Sequence, residues 1–216
     1  MSSTQPNHRS LGRVLFRPLS DKGCERIHQA SLEILERTGV KLHHPEAVRL
    51  LKRAGATVEE DNHVRVPASL VEQSLSTAPK NITMYDRHGQ PALSLQDDDC
   101  YYGPGSDCLN IVDHRTGQRR KAVLQDVIEG TVVCDALAHI DFVMSMFLPS
   151  DVNVDISDRL QMEAMLNHTT KPIVFVTNEF SGCVDAVRMA KAVAGGAAAL
   201  EAKPFCACYV NVTTGL

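Results

Sequence analysis

The chain has 216 residues with an apolar content of 44%, which allows one large domain or two small ones with a proper core. Its net charge is −4 and its one basic run is Arg119-Arg120-Lys121, so the composition argues against nucleic-acid binding. No apolar run could span a membrane, and the polar start lacks a signal-peptide core, so we expect a cytoplasmic protein.

The first 96 residues predict a small mixed unit, which the acidic run Asp97–Asp99 separates from the rest of the chain. The expected elements are, in chain order, a helix capped by Ser20 that stops at Gly39, a helix from Pro45 to Gly55, a strand at 63–66, a helix from Pro67 that closes before Pro79, and a strand at 81–85.

The remaining residues, 97–216, predict strands that alternate with helices. Gly103-Pro-Gly105-Ser-Asp107 ends a predicted strand, and a hairpin and a helix at 124–137 follow. Three apolar runs, at 140–147, 172–177 and 204–210, are separated by helical segments at 155–168 and 183–201. This alternation predicts a parallel sheet with right-handed crossovers, as in barrels and doubly wound sheets.

In both architectures ligands bind where strands end and helices begin, so the polar residues at those ends are candidates for ligand binding. The candidate substrate-binding residues are Tyr102, Gly103, Gly105, Ser106, Asp107, Ser145, Asn178, Glu179, Asn211 and Thr213. Structural roles stay open for several of them: a tight turn for 103–107, core packing for Tyr102 and a helix cap for Asn178 and Asn211. In a ligand role, one of Tyr101 and Tyr102 would line a pocket for a quaternary ammonium, and Glu179 would balance a cation.

The seven cysteines match no disulfide framework, so we expect all seven thiols to be free. Cys206 and Cys208 alternate in a predicted strand, as half of a thiolate metal site or as small buried residues. Because no cysteine or histidine pair at matching spacing accompanies them, we expect no bound zinc. His43-His44 and the run Asp97–Asp99 lie beside turn signals and are interpreted as solvated loop residues.

Eight short segments stand in the order and spacing of one known family. They are Leu19-Ser-Asp21, residues 27–40, Ala78-Pro-Lys80, Tyr102-Gly-Pro-Gly-Ser106, Asp141-Phe-Val-Met-Ser145, Pro149-Ser-Asp151, Thr169-Thr-Lys-Pro-Ile-Val-Phe175 and Ala192-Val-Ala-Gly-Gly196. On these segments the chain resembles the trimethylamine methyltransferase family, which includes glycine betaine and related quaternary-amine methyltransferases. The resemblance covers nearly everything after residue 18.

The resemblance implies an α/β fold of the (β/α)8 TIM-barrel type. It also implies transfer of a methyl group from trimethylamine, glycine betaine or a similar amine to the cobalt of a corrinoid, carried on a separate protein. The corrinoid would be the cofactor, with no metal bound directly by this chain, and no catalytic residue is assigned. Family members are about twice as long as this chain, so we expect only the first half of the barrel here.

A half barrel would leave open edges, so three explanations stay open: a fragment or truncated reading frame, a separate chain that carries the other half, or pairing of two copies. The chain alone is expected not to transfer methyl groups. The main alternative is a non-catalytic remnant or binding subunit that docks the amine or the corrinoid protein. A further alternative is an unrelated α/β enzyme that uses Cys206 and Cys208 with a metal.

Overall fold

The computed structural model describes residues 17–96 and 99–210, which group into two units, 17–79 and 80–210. Each unit has its own apolar core. The division into residues 1–96 and 97–216 that the sequence indicates stays a prediction.

The first unit combines three helices with a small antiparallel sheet around Val64, which is completely buried. Its strands pair in the order β1–β3–β2. The elements are α1 (Asp21–Glu33) continued by a π-helical turn (Ile34–Thr38), β1 (Val40–Lys41), α2 (Pro45–Ala54), β2 (Thr57–Val58), a 3-10 turn (Glu60–Asn62), β3 (His63–Arg65) and α3 (Ala68–Thr77).

The helix boundaries of this unit follow local capping chemistry, as the sequence predicts. The Ser20 hydroxyl accepts the Gly23 N–H at 3.1 Å and satisfies a donor at the start of α1. Pro45 opens α2, where its missing N–H costs nothing. Gly55 closes α2 with a φ of 106°, a left-handed conformation that glycine adopts without strain.

The second unit contains two antiparallel hairpins and a three-stranded parallel sheet flanked by helices. Its elements are β4 (Ile82–Tyr85), β5 (Pro91–Leu95), β6 (Asn110–Val112), β7 (Arg119–Lys121), α4 (Leu124–Ala136), β8 (Val143–Met144), a 3-10 turn (Val154–Ile156), α5 (Ser157–His168), β9 (Ile173–Phe175), α6 (Phe180–Ala194), α7 (Ala197–Ala202) and β10 (Cys206–Cys208). The fold is therefore α/β, with several small sheets and no closed barrel within the described residues.

The parallel sheet confirms the central topological prediction. β9 pairs with both β8 and β10, and both pairings are parallel. The expected helix at 183–201 is instead two helices, because Gly195 and Gly196 have φ values of 83° and 140° and end α6. The right-handedness of the crossovers stays a prediction.

The segment 102–108 runs parallel to the segment 141–148 without forming a regular strand. The Asp141 N–H donates to the Tyr102 carbonyl at 2.7 Å, and the Cys108 N–H donates to the Met146 carbonyl at 2.9 Å. The prediction of a strand that ends at Gly103 is therefore wrong. Asp107 has a φ of 65°, which interrupts an extended conformation just before Cys108.

The core of the second unit lies between the parallel sheet and helices α5 and α6. Met162 and Ile173 are fully buried, and Phe175 is 2% exposed. Two small residues of α6, Ala186 and Ala190, are also buried in this cluster. Burial of each large side chain contributes about 1.5–3 kcal/mol to stability, so this layer holds the strand ends in place.

The hairpin β4–β5 is hydrogen-bonded to the amino-terminal end of the parallel sheet. The Tyr85 N–H donates to the Pro204 carbonyl, and the Arg87 N–H donates to the Thr170 carbonyl, each at 2.8 Å. Thr170 and Pro204 precede β9 and β10, so the hairpin is bound at the end of the sheet opposite to the carboxyl ends of its strands.

Lys171 fixes the end of α4. Its ammonium donates to the carbonyls of Cys134, Leu137 and Ile140, each at 2.7 Å, in the region where helix carbonyls lack partners. The Thr169 hydroxyl donates to Asp135 at 2.6 Å. The Thr-Thr-Lys-Pro motif at 169–172 thus joins α4 to the start of β9.

Arg120 fixes the start of α4. Its guanidinium donates two hydrogen bonds to Asp126, at 2.7 and 2.8 Å, and one to Asp113 at 2.9 Å. The Asp126 side chain is only 4% exposed and also accepts the Val123 N–H at 2.8 Å. The hydrogen bond from Arg120 lowers the pKa of Asp126.

We predict that Asp126→Asn lowers the free energy of unfolding by about 2 kcal/mol, because the substitution leaves a partly buried guanidinium without its bidentate partner. Urea unfolding followed by circular dichroism measures the loss. Asp113→Asn is the matched control: the Asp113 side chain is 18% exposed, so the loss should be smaller. Equal losses of unfolding free energy in the two variants would contradict the larger contribution that we assign to Asp126.

Asp113 gives a pH-dependent prediction. The hydrogen bond from Arg120 and the backbone N–H of Arg115 lower the pKa of Asp113 to about 2. A carboxylate whose pKa is lower in the folded state stabilises the fold above its unfolded pKa, and this stabilisation is lost as the pH falls through the folded pKa. The stability difference between the wild type and Asp113→Asn should be constant at neutral pH and shrink between about pH 4 and pH 2. A difference that does not change over this interval would refute the prediction.

Candidate functional site

A cavity of about 460 Å³ opens at the carboxyl ends of the parallel segments. Leu109 and Asn110 follow the segment 102–108, the loop 148–152 follows β8, and Asn178 follows β9. Its other lining residues are Lys121 at the end of β7, Val154 and Ser157. The cavity has the size of pockets that hold small molecules.

The loop after β8 is held by hydrogen bonds to residues that flank the β6–β7 hairpin. The Leu148 N–H donates to the Cys108 carbonyl at 3.0 Å. The Ala122 carbonyl accepts both the N–H and the hydroxyl of Ser150, each at 2.8 Å. The Asp151 carboxylate accepts the Leu124 N–H at 2.9 Å. These backbone and side-chain contacts fix one wall of the cavity.

Asn178 joins the end of β9 to the start of α5. Its amide nitrogen donates to the Val154 carbonyl at 3.2 Å and lies 3.5 Å from the Ser157 hydroxyl. The N-cap of α6 is Glu179, so Asn178 does not cap that helix. Of the sequence-predicted site residues that the structure describes, Asn178 is the one that lines the cavity.

The carboxylate of Asp158 and the guanidinium of Arg159 form further contacts between α5, Asn178 and α6. Asp158 is 5% exposed and accepts the Asn178 backbone N–H at 3.3 Å. Arg159 donates to Asp185 at 2.9 Å and to the Ser181 hydroxyl at 2.8 Å, which joins α5 to α6. A side chain at Gly182 would overlap Asp158, so glycine is required there for close packing.

Sequence reasoning missed Asp158 and Arg159. The available signal was a charged pair in the first turn of a predicted helix. Glu179, which was expected to balance a cation, lies 3.7 Å from the Arg159 guanidinium and accepts a hydrogen bond from Ser181. The cation that it faces is therefore one of the protein's own.

The segment 102–107 does not line the cavity. Tyr102 is 65% exposed, and its backbone N–H donates to Asp141 at 2.8 Å. Gly103 packs so closely on Phe142 that a side chain would overlap the ring, whereas Gly105 has open space around it. The Ser106 hydroxyl donates to Asp107 at 2.8 Å. The substrate-binding role of these residues stays a prediction.

The other candidates lie inside the unit or outside the described residues. Ser145 is 5% exposed, and its hydroxyl lies within hydrogen-bonding distance of two acceptors, the Phe147 carbonyl at 3.1 Å and the Gln161 side-chain oxygen. It therefore joins β8 to α5, away from the cavity. Asn211 and Thr213 lie beyond the described residues.

All seven cysteines are free thiols in the structure. Burial, with Cys183 and Cys208 nearby, raises the pKa of Cys206 to about 11. Within residues 17–96 and 99–210, no three histidine, cysteine or acidic side chains are arranged to hold a metal ion. No helix in the described part of the chain is long and apolar enough to cross a bilayer.

The chain is similar to known proteins over nearly its whole length. The family model described as trimethylamine methyltransferase matches residues 3–216. A trimethylamine methyltransferase of Desulfitobacterium hafniense strain DCB-2 is 28% identical over 91% of this chain and 40% of its own length. A glycine betaine methyltransferase of D. hafniense strain Y51 is 23% identical over 95% of this chain and 43% of its own length.

A third relative matches a shorter stretch. The proline betaine:corrinoid methyltransferase of Eubacterium limosum is 36% identical over 75 residues, which are 35% of this chain and 15% of that protein. The chain spans about two fifths of the length of each of the two Desulfitobacterium proteins, 40% of the first and 43% of the second.

We predict that Gly103→Ala destabilises the second unit by about 1–2 kcal/mol, because the new methyl group displaces the Phe142 ring from its packed position. Gly105→Ala in the same loop is the matched control and should be nearly neutral, since no atom lies within 4 Å of the new methyl group. Thermal unfolding of both variants measures the difference. Equal stability of the two variants would disprove the packing role of Gly103.

Proposed function

Because the chain belongs to the trimethylamine methyltransferase family, we propose that it takes part in moving a methyl group from a tertiary or quaternary amine to the cobalt of a corrinoid. The family is one of methyltransferases, which are enzymes. The observation that carries the proposal is the cavity lined from three successive parallel segments at their carboxyl ends, the position where α/β barrels hold their ligands.

The proposed architecture is the first half of a (β/α)8 barrel formed by residues 97–216, with residues 1–96 as an extension. Four parallel segments support it: 102–108, β8, β9 and β10 follow one another in space as they do in the chain. Helix α4 connects the first pair, α5 the second, and α6 with α7 the third. A barrel is built from this repeated unit.

In this function the chain binds and orients the amine. The cavity of about 460 Å³ suits a small methylated amine, whereas the corrinoid would stay on its separate carrier protein. The corrinoid supplies the nucleophilic cobalt that accepts the methyl group. The protein's contribution is to hold the N-methyl group in line and to exclude water. Asn178, whose amide nitrogen is held by Val154 and Ser157, would orient the amine.

A second hypothesis for the function is a non-catalytic binding subunit. The chain covers 40% and 43% of the two relatives that match most of it. A binding subunit that holds the amine, with the opposite wall supplied by a further segment, a second chain or another copy, fits the same cavity. We propose a cytoplasmic location for the protein under both hypotheses.

We predict that the 216-residue chain alone does not transfer methyl groups to reduced cobalamin, because one wall of the site cannot exclude water or position the amine. Transfer should appear when the remaining region of a family member is supplied as a second chain or by fusion. The corrinoid absorbance spectrum measures transfer from trimethylamine, glycine betaine and proline betaine.

In the complemented protein, Asn178→Ala should lower the transfer rate on the order of tenfold to a hundredfold through misplacement of the amine. Asn167→Ala is the control, since Asn167 is exposed on α5 and outside the cavity. Transfer by the chain alone would contradict the need for a second wall. A correctly folded complemented protein that transfers no methyl group from any of the three amines would refute the proposed function.

A further inference from the structure

We propose that Asp158 is a positioning residue of the candidate site, whose carboxylate sets the place of Asn178 in the cavity wall. Asp158 is not among the described residues that line the cavity, so it acts on a ligand only through Asn178. The inference deepens the proposed function and rests on it for the identity of the ligand. The contact between the two residues is a property of this chain and can be tested without a ligand.

The first argument is the position of Asn178 in a loop. Strand β9 ends at Phe175 and helix α6 begins at Phe180, so Asn178 lies between the two elements. Its backbone N–H therefore needs an acceptor other than those of the sheet ladder and of the helix. The Asp158 carboxylate accepts this N–H at 3.3 Å and so connects the loop to the first turn of α5.

The second argument is that α5 and the turn before it hold Asn178 at both its side chain and its backbone. The side-chain nitrogen donates to the Val154 carbonyl at 3.2 Å and lies 3.5 Å from the Ser157 hydroxyl, and both partners line the cavity. Asp158, the residue after Ser157, accepts the backbone N–H. None of these contacts is short, so the placement depends on their combination. The contact to Asp158 is the strongest of the three, because its acceptor is charged.

The third argument is the burial of the Asp158 carboxylate, whose side chain is 3% exposed. Its Oδ1 accepts the backbone N–H of Arg159 at 2.8 Å and the guanidinium of the same residue at 3.1 Å. Its Oδ2 accepts from Asn178 and lies against Gly182, where a methyl group would overlap it. Apolar packing of similar volume is often no less stable than a buried ion pair. Stability alone therefore does not account for a carboxylate here, whereas the need for an acceptor for Asn178 does.

The fourth argument is that Arg159 is also held without Asp158. Its guanidinium donates to Asp185 at 2.9 Å, to the Ser181 hydroxyl at 2.8 Å and to the Asp155 carbonyl at 3.0 Å. These contacts keep α5 joined to α6 when the Asp158 carboxylate is removed. Substitution of Asp158 should therefore change the cavity wall locally and leave the fold intact.

Amide hydrogen exchange, followed by NMR on the purified 216-residue chain, tests the contact directly. In Asp158→Ala we expect the Asn178 backbone N–H to exchange on the order of tenfold faster and its side-chain amide signals to shift, because the acceptor is lost. Asp158→Asn should keep most of the protection, since a carboxamide oxygen remains at the same place. Asp185→Ala is the matched control: it removes from Arg159 a carboxylate that accepts no hydrogen bond from Asn178.

Two exchange results would overturn the inference: a wild-type exchange rate of the Asn178 N–H in folded Asp158→Ala, or an equal acceleration in Asp185→Ala. If Asp158→Ala does not fold, Gly182→Ala tests the same contact, because the added methyl group displaces Oδ2 without removing the charge. Faster exchange of the Asn178 N–H in Gly182→Ala would then support the inference, and unchanged exchange would overturn it.

Methyl transfer by the complemented protein gives the functional readout. We expect Asp158→Ala to lower the transfer rate about tenfold through misplacement of Asn178, and Asp158→Asn to recover most of it. The double variant Asp158→Ala/Asn178→Ala should be no slower than Asn178→Ala, because Asp158 acts through Asn178. Additive losses would show an independent role for Asp158 and overturn the inference. A complemented wild-type protein without methyl transfer would refute the proposed function, while hydrogen exchange in the 216-residue chain would still decide the inference.

Discussion

The parallel pairing of β9 with both of its neighbours is the constraint on which the candidate site depends. Parallel strands bring their carboxyl ends to one edge, and the loops that leave these ends are the ones that line the cavity. Two of the strands have only three residues and β8 has two, so backbone pairing alone is a weak support. The apolar layer of α5 and α6 on Ile173 and Phe175 therefore maintains the alignment.

Polar contacts then fix the loops that the apolar core does not reach. Ala122 and Asp151 hold the loop after β8, and Asn178 and Asp158 join β9 to α5. Each contact satisfies a backbone or side-chain group that would otherwise lose hydrogen bonds on burial. These contacts hold the cavity lining in a defined arrangement, which positioning of a small ligand requires.

Arg120 and Lys171 hold the two ends of α4. Arg120 binds Asp126 at the start of the helix, and Lys171 caps the carbonyls at its end. The helix connects the segment 102–108 to β8, so its placement sets the distance between the first two parallel segments. The contacts of Thr169 and Lys171 with the end of α4 give the Thr-Thr-Lys-Pro motif a structural role.

The sequence by itself determined the local boundaries and the family. Ser20, Pro45 and Gly55 end or begin helices because capping involves groups only a few residues apart. Apolar runs separated by helical segments likewise fixed the α/β class and the parallel neighbours. The order of the motifs was sufficient to identify the family, which the match over residues 3–216 confirms.

Only the tertiary structure decided which side chains meet. Asn178 contacts Val154, 24 positions away in the chain, and Lys171 contacts Cys134, 37 positions away. Lys121, read in the sequence as part of a basic run, lies in the cavity wall, while Ser145 faces α5. Local patterns carry no information about such pairs, because the free energy that brings them together comes from packing of the whole sheet and its helices.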